Sequence, residues 1–480
     1  MDAPIVSVSG IRGIVGKSLD AAMLTQFASA FGTMVTTSTC QQDNEMGSSP
    51  VPSKTVVVGR DSRVSGEMVR HSILAGLIST GCRVIDIGMC PTPTILMMAN
   101  ELKANGSIAI TASHNPAEWN GLEFALESGR LLNQGEREQF MEIYRSGDFH
   151  LAKWDHQGAV ETYQGAVNRH IEKILSCEWI DLELVHERAL RVAIDCGNGA
   201  GSVASPQLLR RLGCQVVEVN CVPDGNFPRS AEPTPDALDR LCKTVRAEGA
   251  DVGFAHDGDA DRLVVVSEDG SPLSGEYTFA LAADFILNKR SGDVVGTVST
   301  SLMIDDIANQ HRAQVHRTPV GVGFVVEKMR ETNAVIGGEG TGGVVFPEIQ
   351  YTTDGLASIA AIVHHLSESN TRISSLVKSV PSYTMCQKKL ESPSQSVSEA
   401  VVQRAAEHYA EKSQLATEDE ASLDLTDGVK RVWEDSWVNI RKSGTEPVIR
   451  IFSEAKTSDR AEALCNETVE TLKQLMTHEV

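Results

Sequence analysis

The stretch "KTVVVGRDSRVSGEMVRHSILAGLISTGCRVIDIG", Lys54 to Gly88, decides the fold class. Lys54–Gly59 is a short run of β-branched residues closed by glycine, the signature of a buried strand. Gly66–Thr80 carries apolar residues at helical spacing, and Cys82–Gly88 is again strand-like. Beyond it "TPTILMMANELKA" predicts a helix, and "SIAIT", Ser107–Thr111, a third strand. Strands alternating with helices in this order predict a parallel sheet.

The pattern recurs twice. "LRVAIDCGNGAG", "CQVVEVN" and "ADVGFAHDGDADR" are strands separated by helices over "SPQLLRRLG" and "PDALDRLCKTVRAEG". A third pass runs from the helix "GEYTFALAADFILNK" through the strands "GDVVGTVST" and "AQVHRTPVG" to "NAVIGGEGTGG". The tail differs, with two or three strands in "DGVKRVWEDSWVNIRKSGTEPVIRIFSE" between two helices. The expectation is three similar α/β domains with mixed, mainly parallel sheets, spanning 1–156, 157–264 and 265–380. A C-terminal α+β domain, 381–480, follows a linker near Ser379–Gln387. Thr36–Lys54 is polar and rich in Ser and Pro, and reads as an exposed loop.

Composition narrows the function. With 43 basic against 64 acidic residues the net charge is −21, which disfavours a nucleic-acid or anionic-membrane partner. Ten scattered cysteines form no CxxC pair and no zinc spacing, as expected of thiols in a reducing compartment. No signal peptide or membrane-length apolar run is evident, so a cytoplasmic location is expected. Oligomeric state, monomer or homodimer, is not readable.

Three strands end on unusual turns: "TASHNP", "HDGDADR" and "GGEGTGG". Ligands of open α/β sheets gather at the carboxyl ends of strands. In "HDGDADR", Asp257, Asp259 and Asp261 alternate, so an extended segment would put all three on one face. Carboxylates that close repel unless a cation lies among them, and an all-oxygen set suits Mg²⁺ or Ca²⁺. An EF-hand fails because Arg262 stands where its loop needs glycine; a solvated acidic turn is the plain alternative. In "RKSGTEPVIR", Arg441, Ser443, Gly444, Thr445 and Arg450 combine forked donors, hydroxyls and a flexible backbone suited to an anion; a turn with flanking ion pairs is its alternative. Glu339 sits on a glycine loop where the backbone can approach a ligand. "DCGNGAG" lacks dinucleotide spacing. Arg12, Arg60 and Arg63 in glycine-bounded turns are weak signals alone.

Taken together, "SGIRG", "TASHNP", "DGDADR", "GEGTGG" and "RKSGTEPVIR", with "GRDSR", "PTPT" and "PDGNFP", resemble the α-D-phosphohexomutase superfamily over nearly the whole chain. The resemblance implies four domains around a central cleft. It implies a phosphoserine at Ser113, assisted by His114, and Mg²⁺ held by that group with Asp257, Asp259 and Asp261. Arg262 would lie beside them and Arg12 near the transferring phosphoryl. Glu339 and Thr341 would contact the sugar. Arg441, Ser443, Gly444, Thr445 and Arg450 would hold the non-reacting phosphate. The substrate would be a phosphosugar, and a hexose 1,6-bisphosphate the activator and intermediate.

Three departures accompany the likeness. Glu123 occupies the position where the family usually has lysine, after "NG". Thr341 and Gly343 replace a serine and a histidine of the sugar loop. "SVSGIRG" replaces an aromatic-Gly-Thr start. The last two forms are similar to members named phosphoglucosamine mutase, so glucosamine 6-phosphate to glucosamine 1-phosphate is the favoured reaction. The rivals are a phosphoglucomutase/phosphomannomutase on neutral sugars, a sugar-phosphate phosphatase, and a non-catalytic phosphosugar sensor, the last suggested by Glu123.

Overall fold

The computed structural model describes residues 3–7, 10–37, 54–414, 421–443 and 447–477. Most of the expected 36–54 loop, and Gly444 and Thr445, lie outside them. The chain divides into two compact units: Met1–Lys289 with Thr341–Val377, and Arg290–Gly340 with Lys378–Val480.

In the first unit a mixed seven-stranded sheet has the order Ile5–Ser7, Gly10–Ile14, Trp119–Leu126, Gly106–Ile110, Thr55–Arg60, Arg83–Met89, Val160–Thr162. The last four strands run parallel. Thr55 to Gly59 are buried, which is why this run is apolar without alternation. Trp119–Leu126 pairs antiparallel with both Gly106–Ile110 and Gly10–Ile14. Its sequence, with Asn120, Gly121 and Glu123 among apolar residues, obscures the strand; those polar side chains are buried and hydrogen-bonded.

Helices Ala21–Thr37 and Gly66–Ser79 meet closely because Gly76 has no side chain. A Cβ there would lie 2.5 Å from the Thr25 carbonyl oxygen. Phe27, Phe31, Phe124, Phe140 and Tyr144 fill the adjoining core, with Phe124 and Phe140 centroids 4.6 Å apart. Truncating Phe124 to alanine would cost roughly 3–5 kcal/mol through lost burial and a cavity.

A second, four-stranded sheet has Arg191–Asp195 flanked in parallel by Gln215–Val219 and Val252–His256. Leu263–Val266 folds back antiparallel on Val252–His256, with His256 opposite Leu263. The "DGDAD" segment is therefore a tight turn between two strands, not the extended run that alternation implied. Ala260 at φ +60° reverses the chain, and this reversal gathers the carboxylates. Helix Gly355–Ser369 is apolar around most of its circumference because it is almost wholly buried. Asp354 caps it, accepting from the backbone amides of Leu356 and Ala357.

In the second unit Val294–Thr297 pairs in parallel with Val315–Thr318 and Ile336–Glu339. A five-stranded antiparallel sheet runs Thr384–Glu391, Val448–Ala455, Ser436–Lys442, Val429–Val432, Ser422–Asp424. Helices Gln395–Gln414 and Ser458–Thr477 pack on it through Val401, Ala405, Leu464 and Leu472. Part of the stretch read as linker, from Thr384 on, is the edge strand of this sheet. Its residues alternate between partly buried and exposed, and its exposed face is polar enough to look like a connection. Among the described residues no helix is long and apolar enough to cross a membrane.

Candidate active site

The Gly106–Ile110 strand is buried throughout and delivers Ser113 three residues beyond its end. Ser113 adopts φ +47°, a left-handed conformation that costs a non-glycine residue of order 1–3 kcal/mol and persists only where neighbours enforce it. The enforcer is Arg63, fully buried. Its Nη2 donates to the carbonyls of Ser113 (2.7 Å) and Asn115 (2.8 Å), and its Nη1 to those of Pro116 (2.6 Å) and Trp119 (3.0 Å). Its Nε donates to Asp61 Oδ2 at 3.0 Å. Asp61 Oδ2 also accepts from Thr111 Oγ1, whose oxygen in turn accepts the Ser113 amide. All of the guanidinium's directions are used, which a lysine could not reproduce. The sequence motif "GRDSR" contained this anchor, but nothing in it showed what Arg63 holds.

Ser113 Oγ donates to Asp257 Oδ2 at 3.0 Å and lies 3.3 Å from His114 Nδ1. The two turns touch through Gly258, where a Cβ would sit 2.5 Å from the Ser113 carbonyl oxygen. Asp257, Asp259 and Asp261 offer carboxylate oxygens all within 4.8 Å of one another. Thr92 Oγ1 donates to Asp259 Oδ2 at 2.7 Å, and Thr353 Oγ1 to Asp261 Oδ2 at 2.9 Å. The Oδ1 atoms of Asp259 and Asp261 are buried and accept no hydrogen bond. Neither threonine was singled out from the sequence, although Thr92 lies inside "PTPT".

Burial, reinforced by the charges of Asp261 and Asp259, pushes the Asp257 carboxyl well above the usual range; Arg262 pulls against it. Burial and Asp259 push Asp261 up as well. Arg262 Nε is 4.0 Å from Asp261 Oδ1, and Arg262 Nη1 is 3.9 Å from Glu232. One guanidinium cannot neutralise three carboxylates. An all-oxygen set with two bare, buried oxygens and mutual repulsion fits a hard divalent cation.

His256 fixes the base of this turn. Its Nδ1 lies 2.9 Å from the Arg262 carbonyl, and so donates; its Nε2, 2.8 Å from Ser205 Oγ, accepts. Burial holds it neutral, down to about 4. Burial, then Arg262 and Arg12, likewise lowers His114 to about 4.

Arg12 reaches the Ser113 turn from the Gly10–Ile14 strand. Its Nη1 donates to Asn115 Oδ1 and its Nη2 to Glu123 Oε1, both at 3.1 Å. Glu123 is thus a hydrogen-bond acceptor for Arg12. Burial drives its carboxyl up to about 8; Arg12 opposes the rise, while Asp259 and Asp261 add to it.

In the second unit, Glu339 Oε1 accepts the Gly321 amide at 3.0 Å, so the "RTPVG" loop is tied to it. The Val320 amide donates to Asp427 Oδ2, and Asp427 pairs with Arg441 at 2.8 Å. Arg441 lies directly opposite Arg450 in the sheet, and Arg450 opposite Lys389 on its other side. Three cations in one cross-strand row repel each other, an arrangement that an anion relieves. Ser443 is buried, its amide bonded to the Val448 carbonyl. Lys389 and Asp427 had no sequence signal of their own: strand pairing alone brings Lys389 into the row, and an ion pair joins Asp427 to Arg441. Thr341 is exposed and begins the second segment of the other unit.

Comparison with known proteins identifies the family. The chain matches the phosphoglucomutase/phosphomannomutase α/β/α domain I over residues 4–151, domain II over 168–270, domain III over 274–383 and the C-terminal domain over 398–471. It is 40% identical to a phosphoglucomutase/phosphomannomutase of Thermococcus kodakarensis, covering 97% of this chain and 98% of that protein. It is 36% identical to a probable phosphoglucosamine mutase of Methanopyrus kandleri, covering 97% of each. A crystal structure of a phosphoglucomutase/phosphomannomutase family protein from Burkholderia thailandensis superposes with a TM-score of 0.82 at 26% identity, covering 98% of both chains. The four matched domains and these relatives together place the chain in the phosphoglucomutase/phosphomannomutase family: it is an α-D-phosphohexomutase, an isomerase that works by phosphoryl transfer.

Proposed function

We propose that the protein interconverts 6-phospho and 1-phospho hexoses through a phosphoryl group carried on Ser113, with glucosamine 6-phosphate as the favoured substrate. The observation that carries this reading is Ser113 Oγ, held in a left-handed turn 3.0 Å from Asp257 within the carboxylate cluster. In transfer, the bond from phosphorus to Ser113 Oγ breaks as one to a sugar hydroxyl oxygen forms. The hydroxyl proton leaves the sugar, and Ser113 Oγ regains one. Repetition from the resulting bisphosphate returns the phosphoryl group to Ser113 and leaves the isomer.

Asp257, Asp259 and Asp261, with the group on Ser113, would hold Mg²⁺, which supplies positive charge to the transferring phosphoryl and the departing serine oxygen. Arg63 keeps the Ser113 turn rigid, and Arg12 and Arg262 contribute fixed cations. His114 lies against the serine oxygen. Glu339 and Thr341 serve the sugar. Arg441, Arg450 and Ser443, with Gly444 and Thr445, anchor the non-reacting phosphate, where forked donors position it for attack.

The choice of glucosamine rests on the "GEGTGG" and "SGIRG" motif forms and on relatives named probable phosphoglucosamine mutase. The name of the Thermococcus protein favours a second reading, neutral glucose and mannose phosphates. Assay of all three 6-phosphosugars, each primed with its bisphosphate, tests the choice. A kcat/KM highest for glucosamine 6-phosphate is expected; a higher value for either neutral sugar overturns it. Release of inorganic phosphate faster than isomer would point to a phosphatase instead.

A further inference from the structure

We propose that Thr92 and Thr353 set the cation preference of the aspartate cluster by occupying one oxygen of two of its carboxylates. This rests on the reading of that cluster as a metal site. Each threonine hydroxyl takes Oδ2 of its aspartate, Asp259 at 2.7 Å and Asp261 at 2.9 Å. Each aspartate is left with Oδ1 buried and without a hydrogen bond. Arg262 Nε lies 4.0 Å from Asp261 Oδ1. Asp257 is engaged on both sides, by Ser113 Oγ at 3.0 Å and by the Arg262 amide at 3.3 Å. A buried donor that takes one carboxylate oxygen biases the group toward ligating through the other.

Ligation by single oxygens suits a small ion that demands six near-octahedral ligands. Calcium takes six to eight and readily uses both oxygens of a carboxylate. The threonines therefore favour Mg²⁺ or Mn²⁺ and disfavour Ca²⁺.

The hydroxyls are held in place, because both threonines are buried and the segments that carry them are tied together. Thr94, on the same helix as Thr92, has Oγ1 2.9 Å from His170 Nδ1. His170 Nε2 lies 2.8 Å from Oδ2 of Asp354, the residue after Thr353. The buried His170 thus spans the two supports. The backbone repeats the brace: the Thr92 amide donates to the Asp259 carbonyl at 3.0 Å, and the Gly355 amide to the Ala260 carbonyl at 3.3 Å. Thr92 and Thr353 are positioning residues, acting on a cation only through the aspartates.

The test is calorimetric titration of the full chain with Mg²⁺, Mn²⁺ and Ca²⁺ separately. It compares wild type with Thr92→Val and Thr353→Val, which keep shape but lose the hydroxyl, and with Thr92→Ser and Thr353→Ser, which keep it. Each valine variant should raise the Ca²⁺ to Mg²⁺ affinity ratio about tenfold or more, the usual scale for partners of metal ligands, and serine should restore it. Infrared difference spectra of Mg²⁺-loaded wild type give a reading that needs no variant. The separation of the antisymmetric and symmetric carboxylate stretches should be the wide one of single-oxygen ligation. An unchanged ratio in folded valine variants, or narrow two-oxygen bands in Mg²⁺-loaded wild type, overturns the inference; if the valine variants do not fold, the infrared result decides. Wild type that binds none of the three cations defeats the metal-site reading itself, and this inference with it.

Discussion

The turn around Ser113 and the cross-strand row Lys389–Arg450–Arg441 handle charge in opposite ways. The first crowds like charges, Asp257 and Asp259 buried and Asp261 half-buried, and lets supporting residues commit their oxygens. The second leaves its cations half-buried or exposed on a sheet, where water screens them and repulsion amounts to about 1 kcal/mol or less per pair. Burial raises the Asp257 and Asp261 carboxyls. Buried charge gives a fixed centre for bond making; a screened row gives a surface that can bind an anion and release it. One suits chemistry and the other suits positioning.

The largest effect should come from removing the reacting oxygen. Ser113→Ala should lower mutase kcat by about a thousandfold or more, the scale expected when a covalent carrier is deleted. Intact-mass measurement after incubation with hexose 1,6-bisphosphate should show one added phosphoryl group on wild type and none on the variant. A phosphorylated alanine variant would move the carrier elsewhere and break the contrast between the two regions.

On the cationic row the expected change is in binding rather than turnover. Arg441→Ala and Arg450→Ala should each raise KM for the phosphosugar about ten- to a hundredfold, with a smaller change in kcat. Arg441→Lys should recover only part of this, since it keeps the charge without the fork. Lys389→Ala, at the exposed edge, should move KM about threefold or less. Steady-state kinetics decides the matter: a fall in kcat at constant KM for the arginine variants would make the row part of the chemistry.

The repeat of strand and helix from Lys54 onward was legible because parallel strands buried on both faces must be apolar, and helices on such sheets must be amphipathic. The candidate site residues were legible for the opposite reason, since a serine, a histidine and three aspartates break that pattern at strand ends. Trp119–Leu126 escaped because its buried positions include Asn120 and Glu123, polar residues whose side chains bond Ser65 and Arg12, which are distant in sequence. Thr92 and Thr353 escaped similarly. A threonine beside an aspartate more than ninety residues away leaves no spacing to read. Alternation suggested that the aspartates share a strand face, yet a left-handed Ala260 gathers them in a turn. What sequence pattern shows is local periodicity and its interruptions. What it hides is the partner that makes an interruption tolerable.

Glu123 tests the buried side of the comparison most finely. Its carboxyl is raised from 4.5 to about 8, chiefly by burial, with Arg12 opposing and Asp259 and Asp261 assisting. A group raised on folding contributes stability that is fully present below its unfolded value and is lost as pH rises through its folded value. In metal-free protein, the melting temperature of wild type relative to Glu123→Gln should therefore decline from about pH 5 to about pH 8, then level off. Glutamine keeps an acceptor for Arg12 and cannot titrate, so it removes the slope without removing the contact. Saturating Mg²⁺ should make the decline shallower, because a cation among the aspartates cancels the field that helps raise Glu123. Parallel melting curves for the two proteins across this range would mean that Arg12 already holds the carboxylate ionised. The buried centre would then carry its charges much as the exposed row does.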